Sequence, residues 1–358
     1  MRVLQSFRTG QGTTNPYLVQ LGSQLGPETE VLGFTWRRAL AVPYDVFHVH
    51  WPDSLLHGSS SVRSLVRRML FRALLLRLWL RRRRTAVVRT LHDAHSQRTG
   101  SRIDRALLAR LDQRTALWIR LNPATPVPDG AVARTIEHGD YRHWFDAVES
   151  GSPVPGRLLY TGLIRPNKGV PGLIQAFTAL PVGPDGEAVS LRVVGTPTST
   201  DLGAEVLLAA LADARVSVSL GHLSDVELAA EVAQAELVVL PYHDLYGSEA
   251  SVLALSLARP ILVPANPATT ALRAEVGRGW VFTYTGALTA GVLDGALAAC
   301  RDQRPNRAEH PDLSARAWPL IAAKHRAAYA AAMLLVKGPA GPPVPGPEPV
   351  EAGGHTYI

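Results

Sequence analysis

Cysteine is nearly absent from this chain of 358 residues. The single thiol, Cys300, leaves no disulfide framework and no cysteine-built zinc or iron–sulfur centre, and it fits a reducing compartment. Lysine is almost as scarce: Lys168, Lys324 and Lys337 are the only three among 37 basic residues. No HExxH helix occurs, and the pairs His48/His50 and His92/His95 match no standard zinc spacing. Zinc needs three or four convergent ligands, so no metal is expected. The N-terminal MRVLQSFRTG carries no long apolar core ahead of a small-residue cleavage site, so no signal peptide is expected.

Acidic residues are missing from 62–84, VRSLVRRMLFRALLLRLWLRRRR, which holds nine arginines. The formal net charge is +7, so removing +9 leaves −2 for all other residues. The protein is not broadly basic, which argues against a nucleic-acid partner. No uninterrupted apolar run in that stretch exceeds four residues, so it cannot span a bilayer. Hydrophobic residues, by contrast, make up 46% of the chain. That is globular, and at roughly 150 residues per domain the length suggests two cores.

Short runs rich in Val, Ile and Leu alternate with longer helical stretches, the pattern of βα units around parallel sheets. Six runs fall in the first half, at 3–7, 30–34, 45–51, 86–92, 116–122 and 132–139. The linker-like DAVESGSPVPGR (146–157) follows. Six more runs come after it, at 157–163, 191–196, 216–221, 237–242, 260–264 and 279–284. The expected fold is α/β: two Rossmann-like domains, 1–150 and 151–318, whose parallel sheets face an interdomain cleft. Trp318, Ile321, His325 and Tyr329 are spaced for a closing helix, expected over 319–336. The Pro/Gly-rich 337–358 reads as a disordered tail.

Two segments carry chemistry. YTGLIRPNKGVPGLIQAF (160–177) ends a strand at Gly162, sets Arg165 and Lys168 on a short loop and begins a helix. Open N–H groups at a helix N-terminus beside two cations suit a diphosphate; the plainer reading is a solvated loop. LVVLPYHDLYGSEASVLALSLARPILVPA (237–265) ends a strand at Pro241–Tyr242 and places Gly247, Ser248, Glu249 and Ser251 around a helix start. Gly and Ser there let backbone N–H groups approach a phosphate, and the carboxylate can take a sugar hydroxyl. The plainer reading is an N-cap at Ser248.

Together these segments resemble the nucleotide-sugar domain of GT-B glycosyltransferases, most of all the bacterial group that builds surface polysaccharides and glycolipids. The shared elements are G162-L-I-R-P-N-K-G169, a later strand ending in Pro241–Tyr242, and A258-R-P-I261 where the family has Gly-x-Pro-Val. In the family the basic pair grips the donor diphosphate, a role the resemblance assigns to Arg165 and Lys168. Leu163 stands where common members carry arginine, and Leu245 and Leu253 where they carry two glutamates; Glu249 lies midway. The chain is similar to the G-x-I-R-P-x-K-G subgroup that lacks the glutamate pair, some of which transfer mannose in exopolysaccharide assembly.

The first half is similar to the same family. T9-G-Q-G-T-T-N-P-Y17 follows the first strand, where Gly10 and Gly12 let a ligand approach the backbone. Asn15 is either a ligand contact or the cap of the next helix. HVHWPD (48–53) and LHDAHS (91–96) end strands that the resemblance places on the acceptor side, and His138–Gly139 borders the cleft. The resemblance thus implies a donor site of Gly12, Arg165, Lys168, Gly247, Ser248, Glu249 and Ser251. Facing it would be Asn15, Tyr17, His50, Trp51, His95 and His138. An inverting route needs a general base, for which His92 and Asp93 are the candidates. In a retaining route His92 would instead contact the donor sugar, with charge stabilised at the leaving phosphate. The Asp-x-Asp of metal-dependent transferases of the other main architecture is missing. The expectation is a metal-independent hexosyltransferase without cofactor, its nucleotide-sugar being a substrate.

On a helix, Val62, Leu65, Val66, Met69, Ala73, Leu76 and Leu80 form one apolar stripe, with arginines opposite. The plain reading is a crossover helix covering the first sheet. Leu74, Leu75, Leu78 and Trp79 are then surplus, and apolar bulk mixed with arginine suits an anionic membrane. The expected protein is cytoplasmic, peripheral at the inner face of the plasma membrane. It would move a sugar from a GDP- or UDP-sugar to a lipid-linked or saccharide acceptor in surface polysaccharide or glycolipid synthesis. The alternatives are a nucleotide-sugar epimerase of the same fold, which has no need of a membrane helix, and a catalytically silent assembly subunit, suggested by the missing glutamates.

Overall fold

The computed structural model describes residues 1–7, 15–92, 101–146, 151–181, 189–242, 249–303 and 310–337. Each of the twelve apolar runs forms a strand. In the first half these are β1 (Arg2–Gln5), β2 (Glu30–Leu32), β3 (Val46–Val49), β4 (Ala86–Leu91), β5 (Thr115–Arg120) and β6 (Ala133–Thr135). In the second they are β7 (Arg157–Thr161), β8 (Ser190–Gly195), β9 (Val216–Leu220), β10 (Leu237–Val239), β11 (Ile261–Pro264) and β12 (Val281–Tyr284). The helices of the first half are α1 (Pro16–Gln24), α2 (Trp36–Ala41), α3 (Ser61–Leu80) and α4 (Arg102–Arg114). Then come α5 (Val170–Thr178), α6 (Thr200–Ala210), α7 (Asp225–Gln234), α8 (Glu249–Ser256), α9 (Pro267–Val276), α10 (Ala290–Asp302) and α11 (Trp318–Lys337).

The strands make two six-stranded parallel sheets, ordered β2-β1-β3-β4-β5-β6 and β12-β11-β10-β7-β8-β9. β3 and β4 are buried along their whole length, as expected of strands covered by helices on both faces, and are apolar apart from the buried His48, Arg89 and Thr90. Each sheet reverses its strand order once. The reversal falls between β1 and β3 in the first and between β7 and β10 in the second. Ligands of such sheets bind at these crevices, beyond the carboxyl ends of the strands.

The last helix returns to the first sheet. α11 packs on β4, β5 and α1, and its Trp318, Ile321 and Tyr329 share a core with Val3, Tyr17, Val88 and Ile119. Trp318 Nε1 donates to the Asp140 carbonyl at 2.7 Å, and a Cβ on Gly139 would lie 2.5 Å from the indole. Arg316 fastens the crossing with two 2.7 Å bonds to Glu275, as Lys324 does with one of 2.6 Å to Glu137.

The expectation for 62–84 needs correction. α3 covers the sheet with Phe71, Leu74, Leu75 and Leu78, while Val62, Leu65, Val66, Met69, Leu76, Trp79 and Leu80 are 48–72% exposed. Of the residues read as surplus, Leu74, Leu75 and Leu78 belong to the covering face while Trp79 is exposed, and the stripe read as covering is the surplus. Several arginines are built into the fold. Arg68 pairs with Asp104 at 2.7 and 2.9 Å, Arg77 donates to the carbonyls of Ala39 and Val42, and Arg67 donates to that of His57. No side-chain hydrogen bond ties Arg72, Arg81, Arg83 or Arg84 to the described residues. None of the described helices is long and apolar enough to cross a membrane.

Candidate functional site

Loops at the carboxyl ends of β7, β8 and β9 line a cavity of about 280 Å³ through Gly162, Leu163, Thr196 and His222. Further walls come from α7, with Asp225 and Leu228, from α8, with Glu249 and Ala250, and from Pro16, Tyr141 and Phe145 of the first half. Arg165 and Lys168 lie on the turn that follows Leu163. Gly169 then opens α5 at φ +67°, where a side chain would be strained, and a Cβ there would lie 2.8 Å from the Pro241 carbonyl. This close approach joins the loops after β7 and β10, so that Lys168 Nζ sits 3.5 Å from the Tyr242 ring centroid. The cationic loop therefore stands at the reversal point of its sheet.

Glu249 begins α8 and is 40% exposed at the side chain. Asn15, from the other sheet, meets it. The Asn15 carbonyl oxygen caps α1 by accepting from Tyr17 N at 2.8 Å, and its Nδ2 donates to both Glu249 oxygens at 3.0 and 3.1 Å. His138 Nε2 stands 3.8 Å from the same carboxylate. Burial pushes the Glu249 carboxyl up, but His138, His92 and Asn15 together outweigh it and hold the group at about 2. A carboxylate fixed in its ionised form accepts hydrogen bonds only, as a sugar hydroxyl requires.

Histidines and aromatic rings support this carboxylate from below. Trp51 stacks on His92 at 4.1 Å, and Tyr17 meets His92 and His138 at 5.7 and 4.4 Å. The Gln5 amide is assigned with Nε2 donating to the Tyr329 hydroxyl at 3.4 Å. Its oxygen then accepts from His50 Nε2 at 3.3 Å, so His50 Nδ1 accepts from His92 Nε2 at 3.0 Å. His92 keeps its lone pair on Nδ1. Tyr329 in turn donates to His48 Nδ1, and His48 Nε2 to Thr90, each at 2.8 Å. Burial lowers His48 and His50 well below the usual histidine range and takes His92 to about 4, Glu249 acting in the opposite direction on His92. All three rings are neutral near pH 7.

The structure thus gathers Asn15, His92, His138 and Glu249 at one point, with Arg165 and Lys168 on the loop after β7. His50, Tyr17 and His138 are buried at 3%, 0% and 1%, so they lie under the cleft and orient its surface groups. Ser251 lies in the first turn of α8, which is buried from Ser251 to Ser256, and is itself 1% exposed. Gly12, Asp93, His95, Gly247 and Ser248 lie outside the described residues. Gln5, His48, His325 and Tyr329 are additions the sequence reading missed. The i,i+2 spacing of His48 and His50 on one strand was the available signal, since it puts both on one sheet face. Among the described residues no group of three or more His, Cys, Asp or Glu is placed to hold a metal ion.

No protein-family model matches the chain. Two curated proteins of Xanthomonas campestris pv. campestris, both named GDP-mannose:glycolipid 4-beta-D-mannosyltransferase, are 42% and 41% identical over 331 residues. Each match spans 92% of this chain and 92% of the relative. Anabaena HepE in complex with UDP and glucose superposes with TM-score 0.58 at 14% identity, over 90% of this chain and 95% of that one. Sucrose-phosphate synthase from Thermosynechococcus elongatus gives 0.55 at 14% identity, over 93% and 96%.

Proposed function

This chain belongs to the GT-B glycosyltransferases, in the family of the GDP-mannose:glycolipid 4-β-D-mannosyltransferases, and on that premise we propose that it transfers mannose from GDP-mannose to a glycolipid at a membrane surface. The observation that carries the reading is the meeting of Asn15, His138 and Glu249 beside His92, where the donor cavity opens toward the first sheet.

GDP-mannose carries its sugar in α linkage, so a β product requires attack from the opposite face with inversion. The bond from C1 to the phosphate oxygen breaks, the bond from C1 to the acceptor oxygen forms, and the acceptor hydroxyl gives up its proton. His92 Nδ1 takes that proton, and the Glu249 charge, which raises His92, favours the imidazolium so formed. Asp93, next in sequence, is the second candidate for base. Glu249 holds a mannose hydroxyl. Arg165, Lys168 and the N-terminus of α5 take the charge that develops on departing GDP. Ionic and hydrogen-bonding groups of the chain suffice for this route, with no metal and no cofactor.

The acceptor reaches the cleft from an anionic membrane at the inner face of the plasma membrane. The exposed stripe of α3 enters the interface, and Arg72 with Arg81–Arg84 meets the headgroups. Wild type and Lys168→Ala, compared for stabilisation by GDP and for transfer of radiolabelled mannose into glycolipid, test the reading. Stabilisation and transfer that depend on Lys168 are expected. Failure to bind any nucleotide would leave a catalytically silent assembly subunit, and isomerisation of the donor without acceptor would leave an epimerase.

A further inference from the structure

A second cavity, of about 290 Å³, opens at the reversal point of the first sheet. Ser6 and Phe7 follow β1, Phe34 and Trp36 follow β2, and Trp51 follows β3. All are at carboxyl strand ends, where open α/β sheets take ligands. The volume is near the lower end of small-molecule sites, roughly 300 Å³, which is room for about one sugar ring and part of the next.

Its chemistry differs from that of the donor cavity. Four aromatic side chains form its walls, with hydroxyls of Ser6, Thr35 and Ser54 and the guanidinium of Arg67 among them. A pyranose has matching parts: a flat C–H face that packs on an aromatic ring, and an edge of hydroxyls that needs donors and acceptors. Within the chain Ser6 Oγ accepts from His50 N, Thr35 Oγ1 accepts from Arg38 N and Ser54 Oγ donates to the Trp51 carbonyl, so the hydroxyls retain capacity for a further bond that a sugar uses and an acyl chain does not. The tryptophans pack against the cores on one side and keep a face open on the other. Trp36 and Trp51 stay partly open, whereas Trp118 and Trp318 are each only 2% exposed. Arg67 Nη1 meets the His57 and Ser54 carbonyls, and its other donors have no partner among the described residues.

Position links this cavity to both ends of the proposed reaction. Trp51, one of its walls, stacks on His92, while Arg67 belongs to α3, the helix with the exposed stripe. We infer that this cavity is a subsite for a sugar ring of the acceptor glycan that does not itself react, lying between the membrane helix and the transfer centre. The inference rests on the proposed transfer to a glycolipid, and it names residues that set which glycan is accepted.

The test measures acceptor KM with octyl glycosides of one, two and three sugars and GDP-mannose as donor, for wild type, Trp36→Ala and Trp36→Phe. In wild type KM falls as the glycan lengthens. Trp36→Ala abolishes that gain, raising KM for the longest acceptor about tenfold, with little change for the shortest and unchanged stabilisation by GDP. Trp36→Phe, which keeps an aromatic face, retains most of the gain. Unaltered dependence on glycan length in Trp36→Ala, or an equal loss for all three acceptors, would overturn the subsite. Failure of wild type to bind GDP or to transfer mannose at all would instead overturn the reading on which it rests.

Discussion

The amide nitrogen of Asn15 donates to both carboxylate oxygens of Glu249, 234 residues away, at 3.0 and 3.1 Å. The same side chain caps α1, so the start of one helix and the Glu249 carboxylate are held by a single residue.

Two substitutions separate these duties. Asn15→Ala loses both and should lower stability by about 1 kcal/mol through the cap alone. Asn15→Asp keeps a capping oxygen but sets a second negative charge against Glu249, raising that carboxyl. Thermal melts should then leave Asn15→Asp near wild type while mannose transfer falls in both variants. Full activity in Asn15→Asp would show that the bridge is dispensable.

His92→Gln should lower kcat by roughly 10²–10⁴, the range for loss of a general base. Donor binding, followed as stabilisation by GDP, should persist because His92 is not part of the cavity built by β7, β8 and β9. A change confined to donor affinity would place His92 on the donor and away from proton transfer.

Acid should destabilise the fold from about pH 6.5 downward, the unperturbed histidine value. Burial lowers His92 and His325 to about 4, and His48 and His50 in the same direction. The unfolded chain therefore binds protons that the folded one refuses between 6.5 and 4. Each such histidine removes about 1.4 kcal/mol per pH unit across the window. Melts at pH 7, 6 and 5 should show this slope, and His325→Leu should flatten it by one proton. A slope unchanged in that variant would remove His325 from the account.

Arg81–Arg84→Gln should weaken binding to anionic vesicles by about 4 kcal/mol, near three orders of magnitude, at about 1 kcal/mol per arginine. Leu65→Glu with Leu76→Glu should do so on neutral vesicles as well, because it breaks the exposed apolar stripe. Co-sedimentation measures both, and wild-type binding by either variant would return α3 to a purely covering role.

Ala258 has φ +53° at the end of α8, where Arg259 N reaches the Ala254 carbonyl at 2.9 Å. That closure favours glycine. Ala258→Gly should add about 1 kcal/mol, read as a rise of about 2 °C in Tm. A lower Tm would mean that the methyl group's packing outweighs the backbone strain.

Local pattern sufficed for the strands, because a buried parallel strand is predominantly apolar even where, as at His48 and Arg89, a polar residue interrupts it. It sufficed too for the loop carrying Arg165 and Lys168, whose glycines answer to nearby backbone. It failed on α3, where two apolar faces lie on opposite sides and periodicity cannot say which one meets the sheet. The burial of Ser251 was likewise not legible, since periodicity over so short an apolar helix does not say which residues stay open to the cavity. The pairing of Tyr329 with His48 spans 281 residues, and no local pattern carries a contact of that range.

The return of α11 to the first sheet also bears on how the protein is made. β1–β6 leave the ribosome first, yet the face of their sheet covered by Trp318–Lys337 stays bare until the last helix has been synthesised. The half made first is therefore finished last. During translation it must be shielded from aggregation for nearly the whole length of the chain.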